Sequence, residues 1–166
     1  MENKTVEILK MAILMERRGR AFYAQVAEQT KSPEVKEVFN IMAEEEIMHE
    51  KILAEEFKNY SKSQNFVALN LPEDNYNQIA KLILNKDLKN KISSASFEAA
   101  AISAAIDMET KAIEVYAERA KTATDDNEKK LYQWLSEWEK GHHKILLDLD
   151  NELKEKIWFD NQFWPF

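Results

Sequence analysis

Cysteine is absent from this chain of 166 residues, which excludes disulfides, thiolate catalysis, zinc fingers and cysteine-held iron–sulfur centres. Glycine occurs only twice and proline three times. So few backbone breakers among many Ala, Glu, Lys, Leu and Ile residues suit a nearly all-helical protein. Positive charge is also short: the formal net charge is −7 and the isoelectric point is near 5.1. The lack of a basic stripe to neutralise phosphates argues against nucleic acid as a partner. No apolar run is long enough to span a bilayer, and Met1-Glu2-Asn3-Lys4 opens without a signal core, so the cytoplasm is the expected location. The length is that of one ordinary domain able to bury a proper core.

Caps and apolar period predict four long helices. The first starts near Thr5, places Leu9, Ile13, Phe22 and Val26 on one side, and fades around Thr30. Ser32-Pro33 then supplies an N-cap and a proline at the first helical position of the second, which runs to about Tyr60. The third begins after Ser94 or Ser96 and ends near Thr122. Asp125 or Asp126 caps the fourth, which continues to about Lys156. Residues 61–93 form a long connection, with Leu69-Asn70-Leu71-Pro72 extended and a short helix over Tyr76–Leu84. The expected fold is therefore all-α: a ferritin-like four-helix bundle of two helical hairpins joined by one long crossover containing a short helix. It occupies residues 1–157, and 158–166 form a separate aromatic tail.

A repeat carries the chemistry. Glu16, Glu46 and His49 return 93 residues later, without a gap, as Glu109, Glu139 and His142. Each half reads as a Glu, thirty residues, then Glu-x-x-His. Tyr23 and Tyr116 follow their half's first Glu by seven residues. Laying 12–53 over 105–146 gives 14 identities in 42 positions, among them Ala12/Ala105, Met15/Met108 and Lys51-Ile52-Leu53/Lys144-Ile145-Leu146. An aliphatic core accounts for some of those. It does not account for the acids and imidazoles, because buried charge is costly unless paired or bound to a metal.

Helical geometry brings these residues together. In Glu-x-x-His the two side chains lie about 60° apart around the axis and less than a turn along it, so both reach one point. Two single carboxylates and two such pairs converge on the bundle axis, giving six candidate ligands: Glu16, Glu46, His49, Glu109, Glu139 and His142. Hard carboxylate oxygen with borderline imidazole suits iron or manganese rather than copper or structural zinc. The number of ligands fits two metals, with Glu46 and Glu139 able to bridge. Gly19 and Ala112, one turn beyond the single Glu residues, either leave room for metals and an oxygen ligand or permit close helix packing.

These residues resemble the rubrerythrin-like branch of the ferritin-like di-iron carboxylate proteins over the whole chain except crossover and tail, most closely at Met42-Ala43-Glu44-Glu45-Glu46-Ile47-Met48-His49. The resemblance implies Glu16 and Glu109 as terminal ligands, Glu46 and Glu139 as bridging ligands, and His49 and His142 as terminal imidazoles. It implies two irons as cofactor and a small oxidant, hydrogen peroxide or dioxygen, as partner, with an electron donor the sequence does not identify. Two departures stand out. Rubrerythrins proper carry a further carboxylate one turn after the first Glu of the third helix, where this chain has Ala112. They also carry a four-cysteine rubredoxin domain as the way in for electrons, and this chain has no cysteine. The resemblance thus supports the di-iron site better than it supports peroxidase activity.

Plainer readings stand beside each of these. Glutamates on a helix face are most often solvated, and Glu44, Glu45, Glu50, Glu55 and Glu56 read that way, as does His143. Tyr23 and Tyr116 either belong to the core or hydrogen-bond a ligand from behind. A metal-free bundle would have to bury four carboxylates with no matching cation; Arg20 is the nearest, and its repeat partner is Ile113. Rival functions are a manganese catalase, a quinone or lipid hydroxylase, and a non-enzymatic iron- or manganese-binding module whose tail docks to a partner. The tail, Trp158 to Phe166, holds five aromatics in nine residues. It either covers the bundle end, anchors a homodimer, which is the expected assembly, or serves as an exposed address.

Overall fold

The computed structural model describes residues 4–73 and 97–161. Four helices account for nearly all of them: α1 (Lys4–Gln29), α2 (Pro33–Ser63), α3 (Phe97–Thr122) and α4 (Asp126–Asn161). There is no strand among the described residues. The expected all-α bundle is what the chain forms.

The second and fourth helices start where their caps dictate. Ser32 has extended backbone and its Oγ accepts from Val35 N at 3.4 Å, while Pro33 occupies the first helical position, where its missing N–H costs nothing. Asp125 Oδ1 accepts from the backbone of both Asn127 (2.8 Å) and Glu128 (3.1 Å), closing the start of α4. At the other end of α2, Gln64 takes the left-handed conformation (φ 59°) and its N–H returns to Tyr60 O. Two helices outrun their expected ends: α2 continues to Ser63, and α4 to Asn161, so the tail's first four residues are helical backbone. The short helix expected over Tyr76–Leu84 lies outside the described residues.

The tight turns at 30–32 and 123–125 make α1/α2 and α3/α4 closely packed hairpins. Side chains between the hairpins build two apolar clusters. One gathers Tyr23, Val26, Phe39, Met42, Ile102, Ala105, Ile145 and Leu149; the other gathers Leu9, Ala12, Leu53, Phe66, Tyr116, Leu131, Tyr132 and Leu135. The late part of α1 shares a cluster with the early part of α3, so the two helices run in opposite directions. Between the two clusters lies a band of buried acids and imidazoles.

The start of the crossover is fastened to this framework. Val67 N donates to the buried Glu56 Oε1 (3.0 Å), Asn127 Nδ2 to Phe66 O (3.2 Å) and the Trp134 indole N–H to Pro72 O (2.9 Å).

Candidate metal centre

The band between the clusters contains all six residues that the repeat singles out. Glu16 and Glu109 project from the middles of α1 and α3, and the two Glu-x-x-His pairs from α2 and α4. All six are buried, His49 completely. Their donor atoms form two groups, each within 4.8 Å: Glu16, Glu46, His49 and Glu139, and Glu46, Glu109, Glu139 and His142. Glu46 and Glu139 belong to both.

Both imidazoles turn Nδ1 toward the acids. His49 Nδ1 lies 3.0 Å from Glu16 Oε2, 3.1 Å from Glu139 Oε1 and 3.5 Å from Glu46 Oε2. His142 Nδ1 lies 3.1 Å from Glu139 Oε2, 3.3 Å from Glu109 Oε1 and 3.8 Å from Glu46 Oε1. The rings are stacked with centroids 6.2 Å apart. The tyrosines cross between the hairpins: Tyr23 of α1 donates to Glu109 of α3, and Tyr116 of α3 donates to Glu16 of α1. Each phenol sits behind the single carboxylate of the opposite half.

Crowding four acids in a dry interior rearranges their protons. Burial, then repulsion from Glu139, pushes the Glu109 carboxyl up to about 8 against the pull of His142. Burial, then Glu139 and Glu16, raises Glu46 well above the ordinary carboxylate range. Burial alone would lower the two imidazoles, but the acids around them, Glu139 foremost at His49 and Glu109 at His142, raise both instead. Burial would also raise Glu139; attraction from the imidazole of His49, then the approach of both histidines to within 3.1 Å of its oxygens, outweighs it and holds Glu139 low. Both tyrosines are raised by burial and then by the adjacent acid, so each phenol keeps its proton.

The donor set fits cations. Both oxygens of Glu139 and Nδ1 of His142 are buried without a hydrogen-bond partner. Each such orphan costs about 1–3 kcal/mol unless something coordinates it. Four carboxylates and two imidazole nitrogens suit iron or manganese. Space exists as well: a cavity of about 230 Å³, lined by Glu16, Glu46, Glu109 and Glu139 together with Met15/Met108, Arg18/Lys111 and Gly19/Ala112, lies between α1 and α3. Each of these pairs is related by the 93-residue repeat. A Cβ on Gly19 would stand 3.3 Å from the Glu46 carboxyl, closer than side chains normally approach, so glycine here serves the acid's position.

Several acids read as solvated are not. Glu45 is 7% exposed and Glu56 fully buried, while Glu50 is half-buried in ion pairs with Arg17 (2.5 Å) and Arg20 (3.1 Å). His143 is half-buried too; Glu44 and Glu55 are exposed as expected. Glu45 matters most, because its Oε2 lies 2.5 Å from His142 Nε2 and accepts from the Trp138 indole at 3.2 Å. The repeat held the missing signal. Glu45 corresponds to Trp138 and Glu56 to Leu149, residues that belong inside, whereas Glu44 and Glu55 correspond to the acidic Glu137 and Asp148.

A helical bundle with a buried, twofold-repeated carboxylate–histidine cluster defines a ferritin-like protein with a site that fits two irons. The rubrerythrin family profile matches residues 7–150, nearly the whole bundle, and the chain belongs to that family. A solved structure of a hypothetical protein from Pyrococcus furiosus is similar, with 25% identity, 90% of each chain covered and a TM-score of 0.61. No curated protein matches the chain. Among the described residues, no helix is long and apolar enough to cross a membrane.

Proposed function

We propose that the protein is a non-haem di-iron oxidoreductase acting on hydrogen peroxide or dioxygen. The carrying observation is that Glu46 and Glu139 each belong to two overlapping donor groups, which is the arrangement two neighbouring cations require. In this reading Glu16 and His49 would complete one position and Glu109 and His142 the other, with Glu46 and Glu139 available to both. Iron held there would supply one electron per ion for two-electron reduction of the oxidant.

The chain's own residues supply the setting. Tyr23 and Tyr116 keep their protons on Oη and fix the orientation of Glu109 and Glu16, leaving the second oxygen of each acid free to ligate. Gly19 and Ala112 keep the floor of the cavity open, so a small oxidant has room beside the acids. The apolar clusters on either side exclude bulk water, which strengthens every electrostatic contact within. Reducing equivalents come from an external donor, and the acting form is a homodimer with the bundle over residues 1–157 and the aromatic tail at its end.

Anaerobic loading with Fe(II), desalting and metal analysis test the reading, with two irons per chain expected. Peroxide and dioxygen are then added separately, and the faster one identifies the oxidant. Near-zero iron but two bound Mn(II), with oxygen evolved from peroxide, would replace the reading with a manganese catalase. Neither metal binding would remove it.

A further inference from the structure

Behind the two imidazoles the pseudo-symmetry breaks. His142 Nε2 meets the Glu45 carboxyl at 2.5 Å, and Trp138 holds the same oxygen from the other side at 3.2 Å. In the other half, the position corresponding to Glu45 is Trp138 itself. His49 Nε2 is accordingly buried with no hydrogen-bond partner. It faces indoles instead: the rings of Trp134 and Trp138 stand nearly perpendicular to it, at 82° and 87°, with both centroids 5.3 Å away.

The difference bears on how well each ring can bind a cation. A carboxyl accepting the Nε2 proton fixes the tautomer that leaves the Nδ1 lone pair free and makes that nitrogen a stronger donor. The Glu45 carboxyl 2.5 Å from Nε2 would hold a ligating His142 in this form. At His49 the only acceptors face Nδ1, within 3.0–3.5 Å at Glu16, Glu139 and Glu46. A single proton on that ring therefore gains a hydrogen bond at Nδ1 and none at Nε2. To ligate, His49 must give up that bond and bury an unsatisfied N–H.

We propose that the two cation positions are unequal by construction: the position formed by Glu46, Glu109, Glu139 and His142 binds more tightly and fills first, and Glu45 is the positioning residue that sets this order. The inference rests on the cluster taking two cations, as proposed above. Loss of such a supporting carboxyl typically costs about 10- to 100-fold in metal affinity, and the two sites should differ by a factor of that size.

Anaerobic titration with ⁵⁷Fe(II), followed by calorimetry and Mössbauer spectroscopy, tests it on the full chain. The wild type should bind in two separable steps, with one iron environment dominating at one equivalent. Glu45→Gln should weaken the tighter step by about 10- to 100-fold, leave the weaker one in place, and so merge them. Trp138→Phe removes the N–H that steadies Glu45 together with part of the ring against His49; it should weaken the tighter step by less than Glu45→Gln does, and it serves if Glu45→Gln fails to fold. Two irons bound with equal affinity would overturn the inference and leave the di-iron reading standing. So would an equal loss at both steps in Glu45→Gln, the mark of a merely structural role. No iron bound by the wild type would overturn both.

Discussion

The two hairpins invite direct comparison. Facing the cavity they are nearly the same: Met15/Met108, Glu16/Glu109, Arg18/Lys111, Gly19/Ala112 and Glu46/Glu139 match in identity or kind, and the tyrosines cross symmetrically. Away from it they have drifted. Arg20 pairs with Glu50 in the first half, where the second has Ile113 and His143; Glu45 of the first half meets Trp138 of the second. Similarity is concentrated where both halves build the shared cavity, and it lapses behind it, within the first hairpin at Arg20–Glu50 and between the hairpins at Glu45–Trp138.

The severest way to break that likeness is to remove a shared acid. Glu46→Ala or Glu139→Ala should abolish two-metal binding, because each residue belongs to both donor groups; retention of both irons in either variant would sink the bridging assignment. Glu16→Ala and Glu109→Ala, touching one group each, should leave one position able to bind.

A pH series separates the metal-free from the loaded state. Glu109 titrates at about 8 in the folded chain against an ordinary 4.5, and both imidazoles lie above their ordinary 6.5. Between those values the folded, metal-free protein holds more protons than the unfolded chain. Its stabilisation is complete below the unfolded values and drains away as pH rises through the folded ones. Glu139, lowered, acts oppositely, its contribution being lost only as pH falls below the ordinary carboxylate range. From pH 6 to 9 the first group governs, and the melting temperature of metal-free protein should fall by on the order of 5 °C. Iron-loaded protein should change less, since bound metal replaces those protons, and iron affinity should rise over the same range. A metal-free melting temperature that is flat or rising would contradict the proton-loaded site.

Smaller effects follow at the tyrosines. Tyr23→Phe and Tyr116→Phe each leave one buried carboxyl without its phenol, at a cost of about 1–3 kcal/mol in stability. Both variants should still bind two irons but oxidise at altered rates; unchanged rates in stopped-flow would return the residue to the core. Smallest of all, Ser32→Ala and Asp125→Ala remove corresponding N-caps from α2 and α4 and should each cost about 1 kcal/mol, read by chemical denaturation, with iron stoichiometry untouched.

Much of this was legible in the amino-acid sequence because helical period is a rigid ruler: Glu-x-x-His admits one geometry, and Ser32-Pro33 and Asp125 announce their helices. The burial of Glu45 escapes helical period, since it lies about 100° around α2 from Glu46, on a face that Trp138 of another helix covers; only its repeat partner hints at it. Glu56 is likewise inside because Val67, on the crossover, donates to it. Both depend on partners far along the chain, which no local pattern reports.

The indoles against His49 have a practical corollary. Trp134 spans the distance from that buried ring to the carbonyl of Pro72 on the crossover. With Trp138 at the same distance, the pair should act as a native optical gauge, their emission falling when the neighbouring imidazole gains a paramagnetic ion. The protein can be watched filling, from the His49 side, without attaching a label.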